Sequence, residues 1–420
     1  MSYTRQSLQF DTDGRPWLSS AERDRRHELV RSFLREQGLD ALIVAGLRGR
    51  ERFDTYLTNE VYEGVVLFPL EGEPIYFVTQ MHRVTLRHDR SNAEITPWIP
   101  DARPGVRMFD GLRDALVERG LGRKRFGVVG LLSRGPMEME GLITYDAWSG
   151  VLDAFPDAVF EDVSQDWALR TLPKSAEELE VTRQAARIGE DACAAMLEAA
   201  KPGATDAEVY AAVLWAIQSA GAYTAHPHLL LRVGPDSMGW GPPNTFTHGA
   251  RPRTVQDGDI VLAEIFSCLA GIETQQEMTI AIGSAGERMS GAGDAARAAY
   301  EIGRDRLRPG ARFSEVCEAM SRPILDGGYW SLGPNIHSVA PLAMVDAALR
   351  GVEAIPDLPA TPPLRTVPSH GDAEIEAGWL FVLEPNAMNH RSRVLIGGTV
   401  AVTPDGIEEL NDLPCRLHFR

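Results

Sequence analysis

From position 21 to 37 apolar residues recur at helical spacing (Leu29, Val30, Phe33, Leu34), with Ser19-Ser20 ahead as caps and Gly38 behind. The spacing predicts an amphipathic opening helix. The pattern then shortens. Apolar runs at 41–45, 64–68 and 74–78, separated by Gly, Pro and Glu turn residues, read as strands. A helical stretch over 111–120 and the run Phe126-Gly127-Val128-Val129 extend the alternation. Helices alternating with short strands favour a helix-covered sheet, so residues 1–165 are expected to form an α/β domain.

The alternation breaks at Leu169-Arg170-Thr171-Leu172-Pro173-Lys174-Ser175, where Pro173 interrupts and Ser175 with Glu178 makes a capping box for a long helix. Beyond it the chain repeats itself. The turn Lys201-Pro202-Gly203-Ala204, followed by a helix containing Glu208-Val209, recurs as Arg308-Pro309-Gly310-Ala311 followed by Glu315-Val316. Gly258-x5-Glu264-x14-Thr279-Ile280-Ala281-Ile282 recurs as Gly378-x5-Glu384-x14-Thr399-Val400-Ala401-Val402. Two motifs repeated in one order predict a duplicated helix-plus-sheet unit over 166–420, with Glu264 and Glu384 in equivalent places.

Those two acids are the chemistry in the pattern. Glu264 follows Ile260-Val261-Leu262-Ala263, a run that reads as a buried strand, and an unpaired carboxylate there would cost several kcal/mol. If the halves pack about a pseudo-twofold axis, Glu264 and Glu384 come together and the hairpin after each lines one cavity, the kind of seam that ligands favour.

Composition narrows the partners. The chain has 420 residues, 44% of them hydrophobic, and a net charge of -17, which argues against nucleic acid and anionic membrane surfaces. It has neither an apolar run of membrane-spanning length nor a signal-peptide core in its first thirty residues, so a cytoplasmic location is expected. Cys193, Cys268, Cys317 and Cys415 lie far apart, which fits reduced, unpaired thiols.

The repeated motifs carry a family likeness. Residues 169–412 resemble the creatinase/prolidase (M24, pita-bread) family, which includes methionine aminopeptidase and aminopeptidase P; the first domain is similar to the N-terminal domain of its creatinase and prolidase members. The resemblance implies an N-terminal creatinase-like α/β domain followed by a C-terminal pita-bread α+β domain. It also implies a homodimer. In the family's peptidases two metal ions are held by two Asp, one His and two Glu. By resemblance these positions fall on Glu264, Gln275, His337, Glu384 and Gly397, so two ligands are missing and one is lengthened. Dinuclear sites need bridging carboxylates to hold two dications together. The usual two-metal peptidase mechanism is therefore not expected.

The metal-free creatinase branch splits a guanidinium C–N bond, with a His as general base and glutamates gripping the cation. Carried over by resemblance, the base is His248, ten residues before Gly258, and the gripping acids are Glu277 and Glu384. These three make the expected catalytic set. Glu264, His337, Gln275, Glu273, His228 and Trp240 are expected to bind substrate, with His226 beside them. The chemistry is sound without the family. An imidazole titrating near neutrality can take a proton from water and hand it to a leaving nitrogen, while carboxylates orient a cationic amidine or guanidine. Where creatinase binds its substrate's carboxylate with an arginine, Glu60 and Glu63 stand instead, so creatine is not the expected substrate.

The leading reading is a creatinase-type hydrolase acting on a C–N bond of a small cationic or amide-containing molecule, a guanidine, amidine, lactam or amide, with no cofactor. One alternative keeps a single divalent metal at Glu264, His337 and Glu384 in a divergent peptidase or lyase. Another is a metal-less peptide- or protein-binding module of the same fold.

Overall fold

The computed structural model describes residues 9–10, 16–46, 52–89, 96–105, 107–131, 142–224, 229–239, 241–347, 349–351 and 369–420. The chain divides into two compact units, Met1–Thr171 and Leu172–Arg420.

In the first unit the opening helix runs Ser20–Gln37. Ser19 accepts the Glu22 amide at its N-terminus, and Gly38 ends it in the left-handed region (φ 65°). A six-stranded sheet follows, with spatial order Ala102–Pro104, Ile75–Val78, Gly64–Pro69, Ala41–Ala45, Arg125–Val129, Val159–Asp162. Its central strands are buried throughout, as in a sheet covered on both faces. One face packs Ile43, Val65, Leu67, Phe77 and Val128 against Phe109, Leu112 and Leu116 of the helix Met108–Glu118. Each such buried side chain contributes about 1.5–3 kcal/mol.

Among the described residues the second unit holds an eight-stranded sheet, antiparallel but for the parallel pairing of His418–Phe419 with Ile280-Ala281, that carries four long helices. The helix Ala176–Ala199 opens with the reciprocal Ser175–Glu178 capping box. It packs with the helix Asp206–Ser219, through Ile188, Ala192, Met196, Val209 and Val213, on Leu231, Val261, Ala263, Ile265, Met278 and Ile280. Another layer comes from the helix Ala285–Arg306, whose Met289, Ala292 and Ala296 meet Ile260, Leu262 and Ala281.

The duplication is visible bond by bond. Gly203 and Gly310, both at positive φ, donate to the Val255 and Ile375 carbonyls, and the Val255 and Ile375 amides donate back to Ala204 and Ala311. Gly258 and Gly378 donate to Ile282 and Val402. The sheet order is correspondingly symmetric: Leu229–Gly234, Ile260–Leu269, Ile272–Ala281, then Gly397–Thr403, Leu380–Leu383, Ile336–Ser338. At the seam Thr279 Oγ1 donates to the Leu395 carbonyl and accepts its amide, while Thr399 Oγ1 does the same with Gln275.

The halves differ in one respect. In the first, the hairpin is two unbroken ten-residue strands, Ile260–Leu269 and Ile272–Ala281. In the second, the equivalent strands break at Glu384-Pro385 and at Ile396, so the far end becomes a separate pair, Asn386–Asn389 with Ser392–Leu395.

Candidate functional site

Strand parity sorts the residues of the central hairpin. Val261, Ala263 and Ile265 lie under the paired helices, so Glu264 points to the opposite face. On the neighbouring strand Met278 and Ile280 face the helices, and Glu273, Gln275 and Glu277 face away. The register places Glu264 directly opposite Glu277. Glu384 follows the equivalent strand Leu380–Leu383 of the second half.

The three acids are buried, at 7%, 5% and 4% exposure for Glu264, Glu277 and Glu384, and offer carboxylate oxygens within 4.8 Å of one another. At that spacing two unit charges repel by about 3–4 kcal/mol at an effective dielectric near 20. Like charges directly opposed on a sheet are destabilising. Such a cluster needs cations.

Arg393 supplies one. It sits on the strand Ser392–Leu395 with no exposed surface. Burial pulls its guanidinium down to about 9, while Glu264, Glu384 and Glu277, in that order, pull it up. It therefore keeps its charge at neutral pH. Nη2 donates to the Met238 carbonyl at 2.8 Å, and the Arg393 amide donates to Ser237 Oγ. In the repeat Arg393 is the mate of Glu273, 120 positions earlier, as Glu384 is of Glu264.

His337 lies against Glu384. Its Nδ1 lies 2.8 Å from the Ser338 carbonyl, which can only accept, so Nδ1 carries hydrogen. Its Nε2 lies 3.3 Å from Glu384 Oε1. The contact is an ion pair when the imidazole is protonated.

A hydrogen-bonded frame holds this end of the site. The Glu384 amide donates to the Asn335 carbonyl. Buried Asn386 accepts from Ser331 Oγ and the Leu332 amide and donates to the carbonyls of Gly333 and Pro334. The Asn335 amide donates to Asp346, which Arg350 holds in an ion pair. Ser338 Oγ accepts from the Ala343 and Met344 amides, closing the turn after His337.

The remaining expected residues are placed as follows. Gln275 is fully buried, and its Nε2 donates to Glu273 Oε1 at 2.8 Å. His248 ends the short helix Asn244–His248, is exposed, and shares a 2.7 Å hydrogen bond with Thr247 Oγ1; the described contacts do not join it to the three glutamates. His226, His228 and Trp240 lie outside the described residues. In the first unit Glu60 is ion-paired with Arg87 beside a cavity of about 400 Å³ lined by Thr58, Tyr62, Leu86 and Trp98.

A two-metal centre of the peptidase kind does not fit these residues. Position 275 is a neutral amide already engaged by Glu273. At Gly397 (φ 139°) a Cβ would lie 1.8 Å from the Leu383 carbonyl oxygen, so the backbone has closed over the space a bridging side chain would leave from. Arg393 was not anticipated from the sequence. The available signal was its position in the repeat, in register with Glu273 on the hairpin behind Glu264.

Comparison with known proteins agrees with this architecture. The pattern of metallopeptidase family M24 matches residues 180–404. The creatinase of Bacillus sp. (strain B-0618) is 26% identical over 312 residues, 73% of this chain and 72% of that protein. Among solved structures, the Xaa-Pro dipeptidase from Bacillus anthracis superposes with a TM-score of 0.69 at 18% identity, over 95% of this chain and 100% of its own. The X-Pro aminopeptidase from Thermotoga maritima does so with 0.71 at 16%, over 94% and 99%. Among the described residues, no helix is long and apolar enough to cross a membrane. The duplicated sheet, the paired glutamates at its seam and the family match over more than half the chain lead to one conclusion: the chain belongs to metallopeptidase family M24, as a hydrolase with the pita-bread fold of the creatinase/prolidase group.

Proposed function

We propose that this hydrolase cleaves a C–N bond of a small cationic molecule, a guanidine, amidine, lactam or amide, without a dinuclear metal centre. The observation that carries the reading is the buried convergence of Glu264, Glu277 and Glu384, with His337 against Glu384 and Arg393 on the neighbouring strand. Carboxylates at this spacing complement a cationic group and can accept several N–H bonds from a planar amidinium. The 26% likeness to a creatinase supports the same chemistry.

In this mechanism the glutamates grip the cation and polarise its central carbon. A base takes a proton from water, the hydroxyl adds to that carbon, and the same proton returns to the departing nitrogen as the C–N bond breaks. The products are a carbonyl compound and an amine. His248 is the proposed base by resemblance. The His337–Glu384 pair, 3.3 Å apart, is the second candidate for the transfer.

A second reading rests on the same three carboxylates, a hard oxygen set suited to one divalent ion, with His337 beside Glu384. The deciding experiment is a screen of chelator-treated protein for ammonia, urea or amine release. Substrates should span guanidino compounds, cyclic amidines, lactams and amides, with Xaa-Pro dipeptides as contrast. Turnover in the first group with no added metal is expected. Dipeptide cleavage requiring two equivalents of bound metal would overturn the proposal.

A further inference from the structure

The geometry points to Arg393 as the resident cation of the carboxylate cluster, a positioning residue that holds Glu264, Glu277 and Glu384 together where the family's peptidases hold metal ions. Three observations converge on it. Arg393 lies on the strand Ser392–Leu395, whose Val394 and Leu395 pack in one cluster with Ile260 and Leu262 of Glu264's own strand, on the face that carries the three acids, and the charges of those acids act on it. The guanidinium is wholly buried and anchored from behind by the Met238 carbonyl and by Met388 Sδ, so it cannot swing out to solvent. Its strand is pinned in turn, through the Arg393 amide to Ser237 Oγ and through Ser392 Oγ to the Pro235 carbonyl.

The charge logic gives this a consequence for specificity. A guanidinium is permanently protonated and spreads one positive charge over a plane, whereas a divalent ion concentrates two at a point. With Arg393 in place the cluster lacks the excess negative charge that would draw in a dication, yet retains enough for a monocation. Removing the guanidinium leaves three bare carboxylates and should turn the cluster into a divalent-ion site. This follows from the cluster itself and stands whether or not the protein cleaves C–N bonds.

The test is calorimetric titration of the chelator-treated full chain with Mn²⁺. The parent protein is expected to bind Mn²⁺ only weakly. Arg393→Met should bind one Mn²⁺ per chain about 100-fold more tightly than the parent, because affinity follows uncompensated ligand charge. Arg393→Met/Glu384→Gln should lose that site, and Arg393→Lys, which restores a cation, should bind no better than the parent. Tight Mn²⁺ binding by the parent, or a folded Arg393→Met with no gain, overturns the assignment. If Arg393→Met does not fold, thermal unfolding of Arg393→Met/Glu264→Gln decides. Removing one acid should restore folding if Arg393 is the counter-ion; an equally unfolded double variant overturns it.

Discussion

Glu277 and Gly397 are mates in the internal repeat, and they are paired with each other across the seam between the halves. One mate keeps a buried carboxylate and the other has no side chain. The loss at 397 is structural as well as chemical, because the backbone there adopts φ 139° with the Leu383 carbonyl where a Cβ would project. Reinstating the acid as Gly397→Glu should therefore destabilise the protein by at least about 2 kcal/mol, read from urea unfolding, and should not produce binding of two metal ions. A stable variant carrying two Mn²⁺ per chain would show that the strand can reopen.

Glu264 and Glu277 oppose each other directly on adjacent strands, so each strains the other unless a cation lies between them. Glu264→Gln should weaken binding of a guanidinium ligand about tenfold or more, and that of a neutral isostere much less. Fluorescence or calorimetric titration with the two ligands reads the difference. Equal loss for both would remove charge recognition from the site.

His248 and His337 make opposite predictions about stability. His248 is exposed, so His248→Ala should leave the unfolding midpoint unchanged, and as the proposed base its loss should lower turnover by about 10²–10⁴-fold. His337 is buried between Ser338 and Glu384, so His337→Ala should cost stability as well. Full activity in His248→Ala would pass the base role to the His337–Glu384 pair.

Asn386 satisfies four buried groups at once, from Ser331 to Pro334. Asn386→Ala should cost about 2–4 kcal/mol in urea unfolding, because the partners are left without hydrogen bonds. Recovery of most of that loss by Asn386→Asp is not expected, since a carboxylate cannot donate to the Gly333 and Pro334 carbonyls.

Glu408 and Arg183 tie the last strands to the helix Ala176–Ala199. Arg183's hydrogen bonds, with its charge, hold the Glu408 carboxyl below its ordinary value of 4.5, burial opposing them. A folded-state value below the unfolded one stabilises the protein above that pH and loses the effect as pH falls through the folded value. The unfolding midpoint of Glu408→Gln should accordingly lie below the parent's at neutral pH and converge with it as the medium is acidified below about pH 4.5.

Much of this arrangement was legible in the chain itself. The opening helix, its serine cap and its glycine stop follow from local spacing and backbone freedom, and the capping box at Ser175 is a purely local signal. The repeat was readable because glycines at 258 and 378 are needed for one turn and the glutamates stand at one spacing from them. Arg393 was hidden because it lies in His390-Arg391-Ser392-Arg393, which reads as a solvated hairpin tip. The fold separates the two: Arg391 lies in the turn, ion-paired with Asp236 at the surface, while Arg393 lies within the strand and is buried. His248 was chosen by its distance from Gly258, and sequence distance says nothing about which way a loop residue faces.

The equivalence of Glu273 and Arg393 has a directional consequence. Two identical halves would build a cavity that looks the same after half a turn, and an unsymmetrical molecule could enter it in two orientations of equal energy. Opposite charges on one pair of mates remove that degeneracy. The seam thereby loses its twofold symmetry, so an unsymmetrical ligand bound there would meet unlike side chains in its two orientations.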